Sequence, residues 1–279
     1  MHRNKIQFQK GLSLSEFLRG YGTEEQCIAA LVDLRWPKGF VCPKCNCKAH
    51  CRLKSRGSLF QCNSCRGQTS ITSGTIYHST KLPLTKWFLA MYLMTQTKNG
   101  ISQLSLSRHL GVSSNTGAMV YHKLAQVMKE RDAEKPLSGD IEIDDAYWGG
   151  KKKGKRGRGS ENKVPFIVAV EKNAEGKPMR IKLHTVAAFK KTDLAQWSKK
   201  HLSDGVKVIS DGLFCFLGIR EAGFAHTVAI VGNSRDPVKT APFNWVNTIL
   251  GNLKSALAGT FHKLSKAHLP RHLATFQYR

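Results

Sequence analysis

The hydrophobic pattern changes character near Gly139. Ahead of it, the apolar residues fall into helical runs. Thr23 and Gln26, three residues apart, form a capping-box pair that opens a scaffolding helix, and Pro37 ends it. PLTKWFLAMYLMTQTK reads as an apolar helix. ISQLSLSRHLGVSSNTGAMVYHKLAQVM then gives a helix through Leu110, a break at Gly111-Val112-Ser113 and a second helix from Ser114 to Met128, a helix-turn-helix pattern. Its second helix would present its first turn, Ser114 and Asn115 included, to a major groove. Beyond Gly139 the runs become strands: DIEIDDAYWGG, VPFIVAVEKN and MRIKLHTVAA, separated by turn signals. A helix in KKTDLAQWSKKHLSDG, a strand in VKVISDG, a helix in LFCFLGIREAG, a strand in AHTVAIVG and a last helix from Phe243 to His262 complete the series.

Charge narrows the class of partner. The 279 residues hold 44 Lys and Arg against 19 Asp and Glu, a formal net charge of +25, so a polyanion, nucleic acid first, is the expected partner. No run of 18 apolar residues occurs, and MHRNKIQFQKG lacks an apolar signal segment, which predicts no membrane and a cytoplasmic, nucleoid-associated protein.

In a reducing compartment eight cysteines point to metal rather than disulfides. Cys42 and Cys45 are separated by two residues, as are Cys62 and Cys65, with sixteen residues between the pairs. Two such knuckles bring four thiolates to one structural Zn²⁺, the spacing of a zinc ribbon. Cys47 and Cys51 are surplus, each a free thiol or a small apolar filler, and His50 reads as a surface residue. A ribbon by itself does not name its partner, but Lys44, Lys48, Arg52, Lys54, Arg56 and Arg66 favour DNA.

The second half runs β-β-β-α-β-α-β-α, which resembles the order of ribonuclease H-like domains. There, carboxylates on the first strand, after the fourth strand and on the last helix hold two divalent ions. Asp144 and Asp211 fall on the first two places. Hard ions such as Mg²⁺ prefer oxygen donors, and a pair about 4 Å apart serves the attacking and leaving oxygens of one phosphate. Asp144 and Asp145 compete for the first place, and strand alternation alone leaves the two open, with one expected on metal and the other on solvent or a base. Between the first two strands, Lys151, Lys152, Lys153, Lys155, Arg156 and Arg158 sit among glycines as a phosphate clamp. Six phosphate contacts would lower affinity about a thousandfold between 50 and 200 mM salt.

GTEEQC, CPKC with CNSC, IDDAYWGGKKKGKRGRG, VISDG, VNTILGNLK and GTFHKLSKAHLPRHLATFQYR, in that order over nearly the whole chain, resemble the zinc-ribbon DDE transposases of bacterial insertion sequences, the insertion sequence 1595 family. The resemblance assigns Asp144 and Asp211 as the first two catalytic acids. Many relatives have Glu at the third place, seven residues before a basic residue. Counting back seven from Lys254, or fifteen from His262, gives Asn247, and some branches of the family carry Asn there. At 100° per residue, Val246, Ile249, Leu250, Leu253 and Leu257 form one apolar face, with Asn247 and Lys254 on one shoulder and Asn252 on the other. This favours Asn247 over Asn252. An amide oxygen brings no charge and would hold metal less tightly than Glu.

The resemblance further implies two Mg²⁺ or Mn²⁺ per active site, release of a 3′-OH at each element end and its transfer to target DNA. Partners would be double-stranded DNA, as element ends and target, and a second copy in a homodimer or larger assembly. The spacing of His262, His268 and His272 matches no common zinc pattern, which makes them DNA-facing or packing residues, with His262 taken as a DNA contact. The expected architecture is α+β and multidomain: an N-terminal helical segment to residue 40, a zinc ribbon over 41–70, a helix-turn-helix region over 80–132 and a ribonuclease H-like domain over 138–279. Competing functions are a degenerate copy that binds DNA without cutting and a nuclease on the same fold.

Overall fold

The computed structural model describes residues 11–53, 58–149, 163–230, 241–261 and 264–279. Contacts divide the chain into two units, one of Lys10–Gln96 with Gln103–Leu124, the other including Thr97–Ser102 and Ala125–Arg279.

In the first unit, helix α1 (Leu14–Tyr21) and helix α2 (Glu24–Arg35) each open on a capping box, Ser13 with Glu16 and Thr23 with Gln26. Each box satisfies helix-start amides that have no intrahelical acceptor. Strands β1 (His50–Arg52), β2 (Leu59–Cys62) and β3 (Gln68–Ser70) make a small antiparallel sheet. Phe40 stacks on Phe60 beneath it, with Trp36 edge-on to both. The Arg35 guanidinium donates to the Ser70 and Ile71 carbonyls at 2.8 and 2.7 Å, fastening α2 to the strand that closes the sheet.

Helix α3 (Leu84–Gln96) buries Trp87, Phe88 and Met94. Its start is held by Glu24, whose carboxylate accepts from the Leu84 and Thr85 amides at 2.9 and 3.1 Å. Helix α4 (Gln103–Leu110) and helix α5 (Ser114–Ala133) follow. Gly111, with φ of +59°, turns the chain between them, and α5 runs a turn beyond the Met128 expected from pattern.

The second unit is a five-stranded sheet of β4 (Asp140–Trp148), β5 (Val164–Lys172), β6 (Pro178–Thr185), β7 (Lys207–Ser210) and β8 (Ala225–Val228), in the order β6-β5-β4-β7-β8. β4 and β5, like β5 and β6, are antiparallel, while β7 runs parallel to both β4 and β8. This is the ribonuclease H-like layout.

Alternation along β4 divides the core. Ile141 and Ile143 face one layer with Ile167, Ala169 and Val208, covered by Leu194 and Trp197 of helix α6 (Lys191–His201) and Ile219 of the short helix α7 (Leu217–Glu221). Ala146 joins Phe166, Val168 and Val170 on the other layer, covered by helix α8 (Asn244–Thr260) through Val246, Leu250, Leu253 and Leu257, and by helix α9 (Leu269–Tyr278) through Leu269 and Leu273. The hydrophobic pattern assigned no element to α9. Its marks were a proline in the first turn and the apolar positions Leu269 and Leu273, four apart.

Candidate active site

β4 and β7 meet in parallel register, Ile141 beside Val208 and Ile143 beside Ser210. One further step places Asp144 beside Asp211, just past the end of β7, because paired residues of parallel strands project to the same side. Carboxylate oxygens of Asp144, Asp145 and Asp211 all lie within 4.8 Å of one another, and all three residues are half-buried. The sequence reading expected only one of the neighbouring pair to face metal. Both join the group, although they start on opposite faces of the strand. The Asp145 amide donates to Asp144 Oδ1 at 2.8 Å, which turns that side chain along the strand toward its neighbour.

Asp211 is set by its surroundings. The Leu213 amide donates to its Oδ1 at 3.0 Å. The Ser210 hydroxyl gives its single proton to the Asp211 carbonyl at 2.8 Å, so in its 2.7 Å contact with His226 it accepts from Nε2–H. Burial, then the nearby Arg220, lowers the His226 pKa, consistent with this neutral tautomer. A hydroxyl and an imidazole thus lock the end of β7 where the carboxylate leaves it.

Three carboxylates within 4.8 Å concentrate negative charge that a divalent cation would neutralise, and an all-oxygen donor set suits Mg²⁺ or Mn²⁺. The chemistry of the residues present therefore fits such an ion.

On α8, Asn247 and Lys254 are exposed and Asn252 is half-buried. Asn252, Thr248 and Trp245 line a groove of about 830 Å³ shared with Pro178, Arg180 and Ile181 of β6. That flank of α8 therefore faces the β6 edge of the sheet. Asn247 lies about 140° from Asn252 around the helix, beyond the buried apolar face and on the shoulder that also carries Lys254. Glu142, two residues before Asp144 and buried to 1% exposure, accepts from the Trp245 and Val246 amides at 3.1 and 3.3 Å.

In the ribbon, the four thiols of Cys42, Cys45, Cys62 and Cys65 lie within 4.8 Å of one another, with Sγ separations of 3.6 Å for Cys42–Cys65 and 3.5 Å for Cys45–Cys62. Tetrahedral zinc–sulfur bonds would put sulfurs about 3.8 Å apart. Without metal the thiols share protons: the Cys65 amide, then that of Ser64, lowers Cys62 to about 6, while against the lowering effect of the Cys47 amide the hydrogen bonds to Cys65 and Cys62 raise Cys45. Cys47 and Cys51 remain free and outside this group, and the exposed His50 packs its ring against Phe40 and Phe60. Ser114 and Asn115 are exposed at the start of α5, where Ser113 Oγ accepts from the Thr116 amide. Lys54, Arg56, Lys151, Lys152, Lys153, Lys155, Arg156, Arg158 and His262 lie outside the described residues.

Two family models match the chain: the ISXO2-like transposase domain over residues 136–279, and the transposase zinc-ribbon domain of the same insertion sequence 1595 group over residues 22–68. The chain belongs to the insertion sequence 1595 (ISXO2-like) transposase family. An uncharacterized protein in transposable element ISH50 of Halobacterium salinarum is 29% identical over 174 residues, 56% of this chain and 57% of that protein. The chain thus spans a little over half the length of that relative. Two solved structures share looser likeness: the Mos1 strand transfer complex (TM-score 0.24, 11% identity, 68% of this chain and 74% of that one) and a pre-cleavage Mos1 transpososome (TM-score 0.24, 9% identity, 64% and 74%). With the ribbon family matched, the four-thiol group of this chain supports structural zinc. No helix among the described residues is long and apolar enough to cross a membrane.

Proposed function

We propose that this transposase binds the terminal inverted repeats of an insertion sequence, cuts at the element end and joins the freed 3′-OH to target DNA. The observation that carries the reading is the convergence of Asp144 and Asp145 of β4 with Asp211, just past the end of the parallel strand β7, in a member of a transposase family. Asp144, Asp211 and Asn247 would hold Mg²⁺ or Mn²⁺, with Asp145 as a further oxygen donor. Bound there, a pair of ions would activate the attacking oxygen and stabilise the leaving oxygen of the scissile phosphate.

The chain's own groups supply position. The Leu213 amide orients the Asp211 carboxylate, and Ser210, itself held by His226, fixes the Asp211 backbone through its carbonyl. On α8, Lys254 shares a shoulder with Asn247 and would meet the DNA backbone beside the cut as a point charge on phosphate. Placement of Asn252 in the β6 groove supports Asn247, rather than Asn252, as the third ligand. Ser114 and Asn115, exposed on the first turn of α5, would reach base edges in the repeats, and the ribbon would add contacts to phosphate. Lys151, Lys152, Lys153, Lys155, Arg156, Arg158 and His262 would contribute further backbone contacts. Two ends must be paired for transposition, which calls for a homodimer or larger assembly on double-stranded DNA.

The test is cleavage and strand transfer on DNA bearing the repeats that flank the gene, with Mg²⁺ or Mn²⁺. Joined products from wild type, absent with Asp144→Asn and Asp211→Asn, support the reading. Tight repeat binding without cutting would establish a binding-only copy. Cutting that ignores repeats and joins nothing would establish a nuclease.

A further inference from the structure

Glu142 takes no place in the carboxylate group, although it precedes Asp144 by two residues on the same face of β4. Its own partners account for this. Oε2 accepts from the Trp245 and Val246 amides at 3.1 and 3.3 Å, and Oε1 pairs with Lys172 Nζ at 3.2 Å. A carboxylate at 1% exposure is tolerable only with such partners, and here both oxygens are engaged. Trp245 and Val246 lie in the first turn of α8, where backbone amides have no intrahelical acceptor and negative charge is favoured. No side chain of the preceding residue, Phe243, caps that turn.

We infer that Glu142 is a positioning residue that fixes the first turn of α8, and with it Asn247, against the strand that carries Asp144. The geometry is short at both ends. Asn247 follows Val246 directly, so its Cα lies about 3.8 Å from that of a residue whose amide is anchored. Glu142 and Asp144 are two strand steps apart, about 6.8 Å. A buried carboxylate therefore links a neutral ligand on a helix to a charged ligand on a strand through few freely rotating bonds. A neutral amide draws a cation less strongly than a carboxylate, so its contribution depends more on being held in place. The inference rests on the assignment of Asn247 as a metal ligand.

The test is a double-mutant cycle on Mn²⁺ binding, read by electron paramagnetic resonance on the full zinc-loaded chain without DNA. Asn247→Ala weakens Mn²⁺ binding, Glu142→Gln weakens it about tenfold, and Glu142→Gln adds nothing in the Asn247→Ala background. An equal loss in both backgrounds overturns the inference, since Glu142 would then act on the fold or on Asp144. If Asn247→Ala weakens binding and Glu142→Gln does not, the inference alone fails. If Asn247→Ala leaves binding unchanged, the ligand assignment fails and takes the inference with it. A measurement on wild type does not depend on folding of a variant: the Trp245 and Val246 amides should exchange as slowly as those in the middle of α8. Exchange at the rate of open first-turn amides overturns the anchoring.

Discussion

Asp144 follows the last register pair of β4 with β7, Ile143 beside Ser210, and Asp211 follows the same pair on the other strand, so their carboxylates meet in the middle of the sheet, where β7 ends beside β4. Replacing either by Asn keeps its size and removes its charge. Each change should lower metal-dependent cleavage at least a hundredfold while repeat binding in the absence of metal is retained or slightly strengthened. Parallel cleavage and mobility-shift assays check this, and loss of both properties together would indicate misfolding instead.

The two shoulders of α8 should behave differently. Asn247→Ala should reduce cleavage tenfold or more, at an approximate lower bound, whereas Asn252→Ala, in the groove beside β6, should stay within about threefold of wild type. Asn247→Asp adds the missing charge and should tighten Mn²⁺ binding. Titration of the ion against each variant separates these outcomes.

Elemental analysis should find one zinc per chain. Cys62→Ser should lose it and melt the pairing of β2 with β1 and β3, because a structural zinc contributes folding free energy directly. Cys47→Ser and Cys51→Ser, outside the thiol group, should keep the metal. Retention of zinc by Cys62→Ser would remove the ribbon assignment.

Gly117 in α5 packs on Ser107 in α4, where an added Cβ would come 2.5 Å from the Ser107 Cβ. Gly117→Ala should therefore destabilise this hairpin by about 1–3 kcal/mol of overpacking, although alanine is the better helix former by about 1 kcal/mol. Gly251 in α8 has nothing within 4 Å of a built Cβ, so Gly251→Ala should raise Tm. Thermal melts of the two variants should move in opposite directions.

Stability should fall with acid below about pH 6.5. Burial, reinforced by Lys182, Lys200 and Lys129 and opposed by Asp132, holds His184 down to about 4; burial, then His184, Lys182 and Lys200, holds His201 down to about 3. Their rings lie 4.7 Å apart. The unfolded chain binds protons near pH 6.5 that the folded chain refuses. The contribution is thus complete above that pH and is lost as pH falls toward the folded values, about 2 kcal/mol for His184 by pH 5. Tm measured from pH 7.5 to 5 should decline, and His184→Leu should flatten the decline.

Much of the site can be read from local spacing. Cys42 with Cys45 and Cys62 with Cys65 are knuckles whose geometry is set within a few residues, and only their convergence needs the fold. The strand ending in Asp211 is marked by its apolar run and the turn after it. The basic residues from Lys151 to Arg158 carry an electrostatic signal that needs no geometry, and they lie outside the described residues. Alternation sends Asp144 and Asp145 to opposite faces, so spacing alone gives one of them to the acidic group; the structure brings both there because β7 ends beside Ile143 and leaves that flank of β4 open to their side chains. Nothing in DIEIDD distinguishes an acid that binds backbone amides, as Glu142 does, from one that meets solvent.

By itself, the sequence determined the order of helices and strands from β4 to α8, the zinc-binding spacing, the charge that calls for a polyanion and the family, since all are encoded in composition or in neighbours along the chain. The tertiary structure decided which strands lie side by side, which flank of α8 faces β6, and that Glu142 is buried against the start of α8. These depend on pairing and packing between residues roughly a hundred positions apart, where burial and direction are properties of the partner as much as of the residue.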